Sequence, residues 1–344
     1  MNDLNTRGQQ IKVFTQIIRE ARKSDFVIPE MRNNGPTGSD VQYSGAFVLP
    51  PQKGIYQEPI ATLDFASLYP SIIRGDNLSY ETLVLDESQL DPDTPVSTIK
   101  VEQGTIYEVE LTISQGSATA VGNLDDCEFI KFLTETKSGM KVVFGTHKKT
   151  DGVEGPAYQI KSVNRQVIEL EEPVQSVKGQ ITVKKAKLLQ EFTYKYVQHV
   201  EGTLPRICKN LLTARKNAKK EMAQTDDPIR KGLLNGKQLA LKVSCNSVYG
   251  FTGAGRGMLP CIPIASSVTA IGQEMIKTTK KTVEESFNAS VIYGDTDSVM
   301  VNFHCGDGTE GLKKALEMGE KAAQLVTRQF KPPNSLEFEK VYMP

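Results

Sequence analysis

Apolar residues recur at two different periods along this chain, and the change of period divides it. Over residues 7–23, Ile11, Phe14, Ile17 and Ile18 follow helical spacing. Ile60 to Leu63 is a short apolar run that reads as a buried strand ending at Asp64. Pro70 blocks its continuation, and Ile72-Ile73 opens a helix. Between about 93 and 190 the period becomes two: Tyr107, Val109, Leu111 and Ile113 alternate with Glu108, Glu110 and Thr112. Residues 141–144, 167–170 and 181–183 read as further short strands, separated by SGM, DGVEGP and VKG turns. From Leu204 the helical period returns as a pair of helices broken at Thr225-Asp226-Asp227-Pro228. Residues 33–44 and Gly250 to Gly257 read as glycine-containing loops, and 266–287 as a helix. Ser290 to Ile292 and Val299 to Val301 flank a Gly/Asp cluster as a hairpin would. A helix over about 312–330 and a strand-like SLEFEKVY follow. The pattern predicts an α+β fold with a β-rich block between helical regions.

Composition narrows the reading. A chain of 344 residues with 39% hydrophobic content supports one large or two medium domains. Lys plus Arg and Asp plus Glu are 41 each, so no global positive charge advertises nucleic acid, and any basic surface is local. Such a surface exists. Between Arg206 and Lys242 ten bases face only Glu221, Asp226 and Asp227. The β-rich block is polarised as well, with 12 acids and two lysines over 81–136, then 10 bases and five acids over 137–190. Solvated faces account for runs of this kind more often than binding sites do. The five cysteines include no CxxC pair, which predicts a reducing compartment with neither a zinc site nor a disulfide framework. No apolar run approaches the roughly 18 residues of a membrane span, and no signal-peptide core opens the chain, so a soluble intracellular protein is expected.

Candidate chemistry concentrates in three places. YGDTDS (293–298) presents Asp295 and Asp297 at a hairpin tip, where two close carboxylates repel unless a cation lies between them. Asp and Gly are also ordinary turn residues, so a solvated turn is the competing reading of that hexamer alone. A third carboxylate, Asp64, ends the upstream strand and is followed by small residues and Tyr69-Pro70. On the helix pair, Arg215 and Lys219 lie at i, i+4, and Lys242, Asn246 and Tyr249 at i, i+4, i+7, so each helix carries one stripe suited to polyphosphate. Three carboxylates and a basic helical hairpin are the parts a nucleotidyl transferase needs.

DFASLYPS (64–71), KVSCNSVYG (242–250) and YGDTDS, in that order, resemble motifs A, B and C of the family B DNA polymerases, most closely the delta-like replicative type. RGQQIKV and LEFEKVY match the same group, and the resemblance covers about 1–90 and 193–344. It implies a ferredoxin-like palm with helical-hairpin fingers and a β-rich insert. Residues 1–92 would be an N-terminal linker and the first part of the palm, 93–190 the insert, 191–250 the fingers and 251–344 the second part of the palm. It also implies DNA-directed DNA synthesis in replication, adding dNMP to a primer 3′-hydroxyl with two Mg²⁺ ions, for which Mn²⁺ could substitute. Asp64 and Asp297 would ligate both ions with help from the Phe65 carbonyl, and Asp295 would be a weaker or indirect ligand. Ser67 and Leu68 would offer backbone N–H groups to the triphosphate, and Tyr69 would pack under the sugar. Arg215, Lys219 and Lys242 would grip phosphates, Asn246 and Tyr249 would line the nascent pair, and Glu337 would be a peripheral acid. Tyr293, Gly294 and Thr296 would lie near the primer end. The implied partners are primer-template DNA, dNTPs and a sliding clamp or accessory subunit, with no membrane. The implied location is the nucleus or a viral replication site, the source being left open.

Two departures accompany the resemblance. The family's exonuclease lies upstream and its thumb downstream of what this chain contains, so a fragment poorly active by itself is expected. The link between motif A and the fingers is also much longer than usual. An inactive polymerase-fold subunit that binds DNA or serves structure is the alternative, and the three carboxylates with the cation stripes weigh against it. RNA synthesis is disfavoured by the bulk of Tyr69.

Overall fold

The computed structural model describes residues 8–28, 42–43, 45–123, 127–144, 156–175, 178–255 and 257–343. Most of the loop expected over 33–44 and of the DGVEGP turn lies outside the described residues, as does Arg256 of the glycine-rich stretch. In chain order the elements are α1 (Gly8–Lys23), β1 (Gln42–Tyr43), β2 (Val48–Leu49), β3 (Ile60–Phe65), α2 (Leu68–Gly75), β4 (Val96–Tyr107), β5 (Leu111–Ser114), β6 (Thr119–Gly122) and α3 (Cys127–Glu135). Then come β7 (Lys141–Phe144), β8 (Ala157–Asn164), β9 (Val167–Leu170), β10 (Gln180–Val183), β11 (Ala186–Val197), α4 (Thr203–Ala223) and α5 (Pro228–Gly253). The chain closes with α6 (Ile262–Phe287), β12 (Ser290–Asp295), β13 (Ser298–Asn302), α7 (Gly308–Thr327) and β14 (Leu336–Tyr342). The fold is mixed α and β, built on two antiparallel sheets in two compact units.

The first unit comprises residues 1–33, 45–99 and 194–344. Its sheet has the order β14-β3-β13-β12-β2. β3 is central and apolar on both faces: Ile60, Ala61, Leu63 and Phe65 are buried, leaving Asp64 as the only residue of the strand that is not. Helices α6 and α7 supply the cover, α7 lying on β14 and β3 and α6 on β12. Gly319 permits the α7 approach, since a Cβ there would meet the Phe338 ring at 2.6 Å. The helix pair α4–α5 turns where the sequence breaks. Asp227 caps α5 by accepting from the Ile229 N–H at 3.0 Å, and Pro228 occupies its first turn.

Three expectations about elements need correction. α2 begins at Leu68 rather than at Ile72, because proline is tolerated in a first turn, where its missing N–H would have had no partner. α5 runs on through Gly250 to Gly253, where a loop is expected from the glycines. Its C-terminal turns are held by packing: Val248 and Phe251 are buried, and Phe251 stacks on Phe14 of α1 at 6.3 Å. The buried stripe of α1 is Val13, Ile17, Glu20 and Ala21, rotated from the stripe that the isoleucines suggest.

The second unit comprises 34–44 and 100–193, against 93–190 for the expected β-rich block. Its nine strands run β1-β4-β11-β7-β8-β9-β6-β5-β10. The alternating segment 107–113 is divided between β4 and β5, although the inward positions Tyr107, Val109, Leu111 and Ile113 all remain buried. Inward side chains of β4 to β11 share one core with Phe129 and Phe132 of α3, so this sheet curls on itself. Helix α3 is absent from the sequence reading.

Candidate active site

The link from β3 to α2 places backbone and carboxylate together. Ser67 adopts a left-handed conformation (φ 52°, ψ 58°) and makes no side-chain cap to α2. A side-chain cap is worth about 1 kcal/mol to a helix; α2 lacks one, and Ser67, Leu68 and Tyr69 at its N-terminus line the cleft described below. The turn is held from behind: the Ala66 N–H donates to the Ser335 carbonyl at 3.0 Å, and the Ser71 hydroxyl to the Ala66 carbonyl at 2.9 Å.

Strand register carries the second carboxylate to the first. β13 pairs with β3 so that Ser298 lies opposite Asp64, while β14 sets Glu337 opposite Asp64 on the other side. The Phe65 N–H donates to the Asp297 carbonyl at 2.8 Å, fixing the hairpin tip against the β3 terminus. At that tip Thr296 is left-handed (φ 54°), an unusual state for a β-branched residue. Its N–H donates to the Phe47 carbonyl at 3.2 Å and its hydroxyl to Asp295 Oδ1 at 2.8 Å.

These elements enclose a cleft of about 810 Å³. Asp64, Phe65, Ser67, Leu68 and Tyr69 form one side with Thr296 and Asp297, and Glu337 and Glu339 of β14 join them. The wall also includes Arg215, Lys216 and Lys219 of α4 and Lys242, Asn246 and Tyr249 of α5. Both aspartates are half-buried. Burial pushes the Asp64 carboxyl up to about 6, helped by the negative charges of Asp297, Glu339 and Glu337 and opposed by Lys242. Burial likewise raises Asp297; its own backbone N–H and Lys242 pull the other way, and Asp295 and Glu339 add to the rise. Two carboxylates crowded in this way favour an added cation. The Tyr69 and Tyr249 rings pack at 4.4 Å between centroids with a 42° tilt.

Among the residues expected at the site, Asp295, Tyr293 and Gly294 lie outside the cleft wall. Asp295 is exposed and takes hydrogen bonds from Thr296 and, at 3.4 Å, from the Tyr293 hydroxyl. Gly294 packs under Leu49, where a Cβ would come within 2.8 Å. Among the described residues no three His, Cys, Asp or Glu side chains gather into a metal cage. Lys216 and Glu339 line the cleft without having been singled out from sequence. Both were within reach: Lys216 continues the Leu212, Arg215, Lys219 face of α4, and Glu339 shares the Glu337 face of β14.

Residues 1–121 and 159–344 match the sequence profile of DNA polymerase family B, and the chain belongs to that family. The unmatched segment, 122–158, falls within the second unit, so the match extends into the β-rich block from both sides. The chain is 40% identical over 351 residues to the DNA polymerase delta catalytic subunit of Schizosaccharomyces pombe. It is 38% identical over 352 residues to that of Drosophila melanogaster. Each alignment takes in 100% of this chain and 24% of the relative, so the chain spans about a quarter of the length of the curated relatives it matches. No helix among the described residues is long and apolar enough to cross a membrane.

Proposed function

We propose that this chain is the palm and fingers of a replicative DNA-directed DNA polymerase. The observation that carries the reading is a cleft whose wall brings Asp64 and Asp297 together with the cation stripes of α4 and α5. The palm would be the β14-β3-β13-β12 portion of the first sheet. Its chain path, β3, α6, β12, β13, α7, β14, is a β-α-β-β-α-β arrangement, which supports a ferredoxin-like assignment. The fingers would be α4 and α5, and residues 100–193 an insert.

The donor set fits a pair of Mg²⁺ ions. Such ions are bound through one or two carboxylates plus substrate phosphates rather than by all-protein cages, so two aspartates and the Phe65 carbonyl suffice before a triphosphate arrives. Asp295 would act from outside the cleft wall through Asp297. Bound there, the ions would activate the primer 3′-hydroxyl and offset charge on the leaving pyrophosphate. The protein's own part is positioning and electrostatics. Arg215, Lys219 and Lys242 would hold the phosphates from the fingers side, with Lys216 adding charge at the rim. Ser67 and Leu68 would donate backbone N–H groups from the open end of α2. Tyr69, braced by Tyr249, would lie beneath the sugar, and Asn246 with Tyr249 would contact the nascent pair. Thr296, with Tyr293 and Gly294 behind it, would border the primer terminus. Primer-template DNA, dNTPs and a sliding clamp or accessory subunit are the proposed partners, and the nucleus or a viral replication site the proposed location. The names of the relatives support replication as the setting.

The test uses the full-length protein with a primer-template and all four dNTPs in Mg²⁺. Extension whose sequence follows the template is expected. Retained DNA binding without any templated addition would favour an inactive polymerase-fold subunit instead.

A further inference from the structure

The interior of the helix pair holds a polar arrangement that the proposed reaction leaves unused. Gln238 of α5 is 8% exposed, and its side chain lies between the two helices. Its Oε1 accepts from Arg215 Nε at 3.3 Å, and its Nε2 donates to Asn235 Oδ1 at 3.0 Å. The second bond orients the first: with the NH₂ end held by Asn235, the amide oxygen is turned toward Arg215. Arg215 is half-buried and belongs to the cleft wall.

A guanidinium is planar and carries five donors in a fixed fork. Committing its Nε–H to Gln238 fixes the plane while leaving the four outer donors for a ligand. The partner's neutrality matters as much as its position. A carboxylate at this point would hold the same plane but offset the charge, whereas an amide leaves the cation whole. Lys216 and Lys219 on the same helix are exposed, so Arg215 is the cleft cation with a buried anchor.

We infer that Gln238 is a positioning residue: it sets the Arg215 guanidinium so that its outer N–H pairs present a ready two-pronged grip to phosphate oxygens in the cleft. The identity of the anion, a nucleoside triphosphate, rests on the polymerase reading. The grip itself does not.

The full-length protein is titrated with inorganic tripolyphosphate, and KM and kcat are measured separately for dNTP. Gln238→Met keeps the side-chain volume and removes the acceptor. It is expected to weaken tripolyphosphate binding and raise KM roughly tenfold, as for losing a hydrogen bond to a charged group. Gln238→Glu keeps the acceptor and adds a charge, and it is expected to weaken binding at least as much. In an Arg215→Ala background Gln238→Met should weaken binding no further. Unchanged binding by Gln238→Met, or a loss of the same size with and without Arg215, would overturn the inference, since the second result means mere helix packing. If Gln238→Met unfolds, Gln238→Asn, which draws the amide oxygen back from Arg215 without adding charge, carries the same double-variant comparison. A protein that binds tripolyphosphate through Arg215 but incorporates no nucleotide would overturn the polymerase reading and leave the Gln238 result standing.

Discussion

At the residue scale the cleft stores electrostatic repulsion. Asp64 ionises in the folded chain at about 6, against an ordinary value of 3.8. A carboxyl raised by folding contributes stability that is fully present below its unfolded value and is lost as pH rises through the folded one. Asp64→Asn should therefore raise the melting temperature in EDTA most at pH 7 to 8, with the gain shrinking below pH 6 and vanishing near pH 4. Added Mg²⁺ should raise the melting point of the native protein and not that of the variant. A gain independent of pH would mean that Asp64 is not crowded. Tyr69 invites a second substitution. If Tyr69 lies beneath the sugar as proposed, replacing its ring by Ala should relieve an overpacking clash of about 1–3 kcal/mol for ribonucleotides. The dNTP-to-rNTP efficiency ratio should fall by about ten- to a hundredfold, since each 1.4 kcal/mol is a factor of ten. An unchanged ratio would place sugar selection elsewhere. The places of Asp64, Asp297 and Lys242 in the cleft wall were legible in the sequence because short motifs hold them, and that of Arg215 because it shares a helix face with Lys219. Glu339 was legible only from the two-residue period of β14, which puts it on the face of Glu337, and the outward turn of Asp295 depends on hydrogen bonds that no spacing reveals.

At the element scale, the N-terminus of α4 is the joint that fixes the cationic helix relative to the sheet. The loop after α2 satisfies its orphan donors: Asn77 Oδ1 accepts from Gly202 N–H at 2.9 Å, Ser79 Oγ from Leu204 N–H at 3.1 Å, and Glu81 from Thr203 N–H. Asn77 also donates to the carbonyls of Val197 and Val200. Gly202 allows this approach, because a Cβ there would stand 2.6 Å from Ser79 Cβ. Gly202→Ala should accordingly destabilise the fold by about 1–3 kcal/mol through overpacking, read as a lower urea midpoint with unchanged slope. A midpoint equal to that of the native protein would show that the joint gives way without cost. None of this was legible in the sequence, since the partners are about 125 positions apart. The helices themselves were, and their errors are local. Glycine at 250 and 253 is a poor helix former, yet the burial of Val248 and Phe251 outweighs a cost of about 1 kcal/mol per glycine.

At the scale of the whole chain, the β-rich unit has its own core around Phe129, Phe132, Leu111 and Ile160. The strands that lead out to it and back, β4 and β11, are hydrogen-bonded neighbours, so a short turn can join residues 99 and 194. Excising 100–193 for a Gly/Ser linker should leave the remainder cooperatively folded and able to take up Mg²⁺ with nucleotide. Aggregation or loss of a cooperative transition would show that the sheet of the first unit depends on it. The block was legible as β-rich from its period-two pattern, but its strand order and the helix within it were not, because nonlocal pairing leaves no local mark.

On the proposed reading, Asp64 and Asp297 together would hold the ions of a nucleotidyl transfer. The most direct measurement is single-turnover addition of one dNMP by full-length Asp297→Asn in Mg²⁺, with melting confirming an intact fold. Losing several kcal/mol of transition-state stabilisation predicts a rate lower by a factor of at least about 10³. A folded Asp297→Asn protein that extends the primer at a near-native rate would contradict the account.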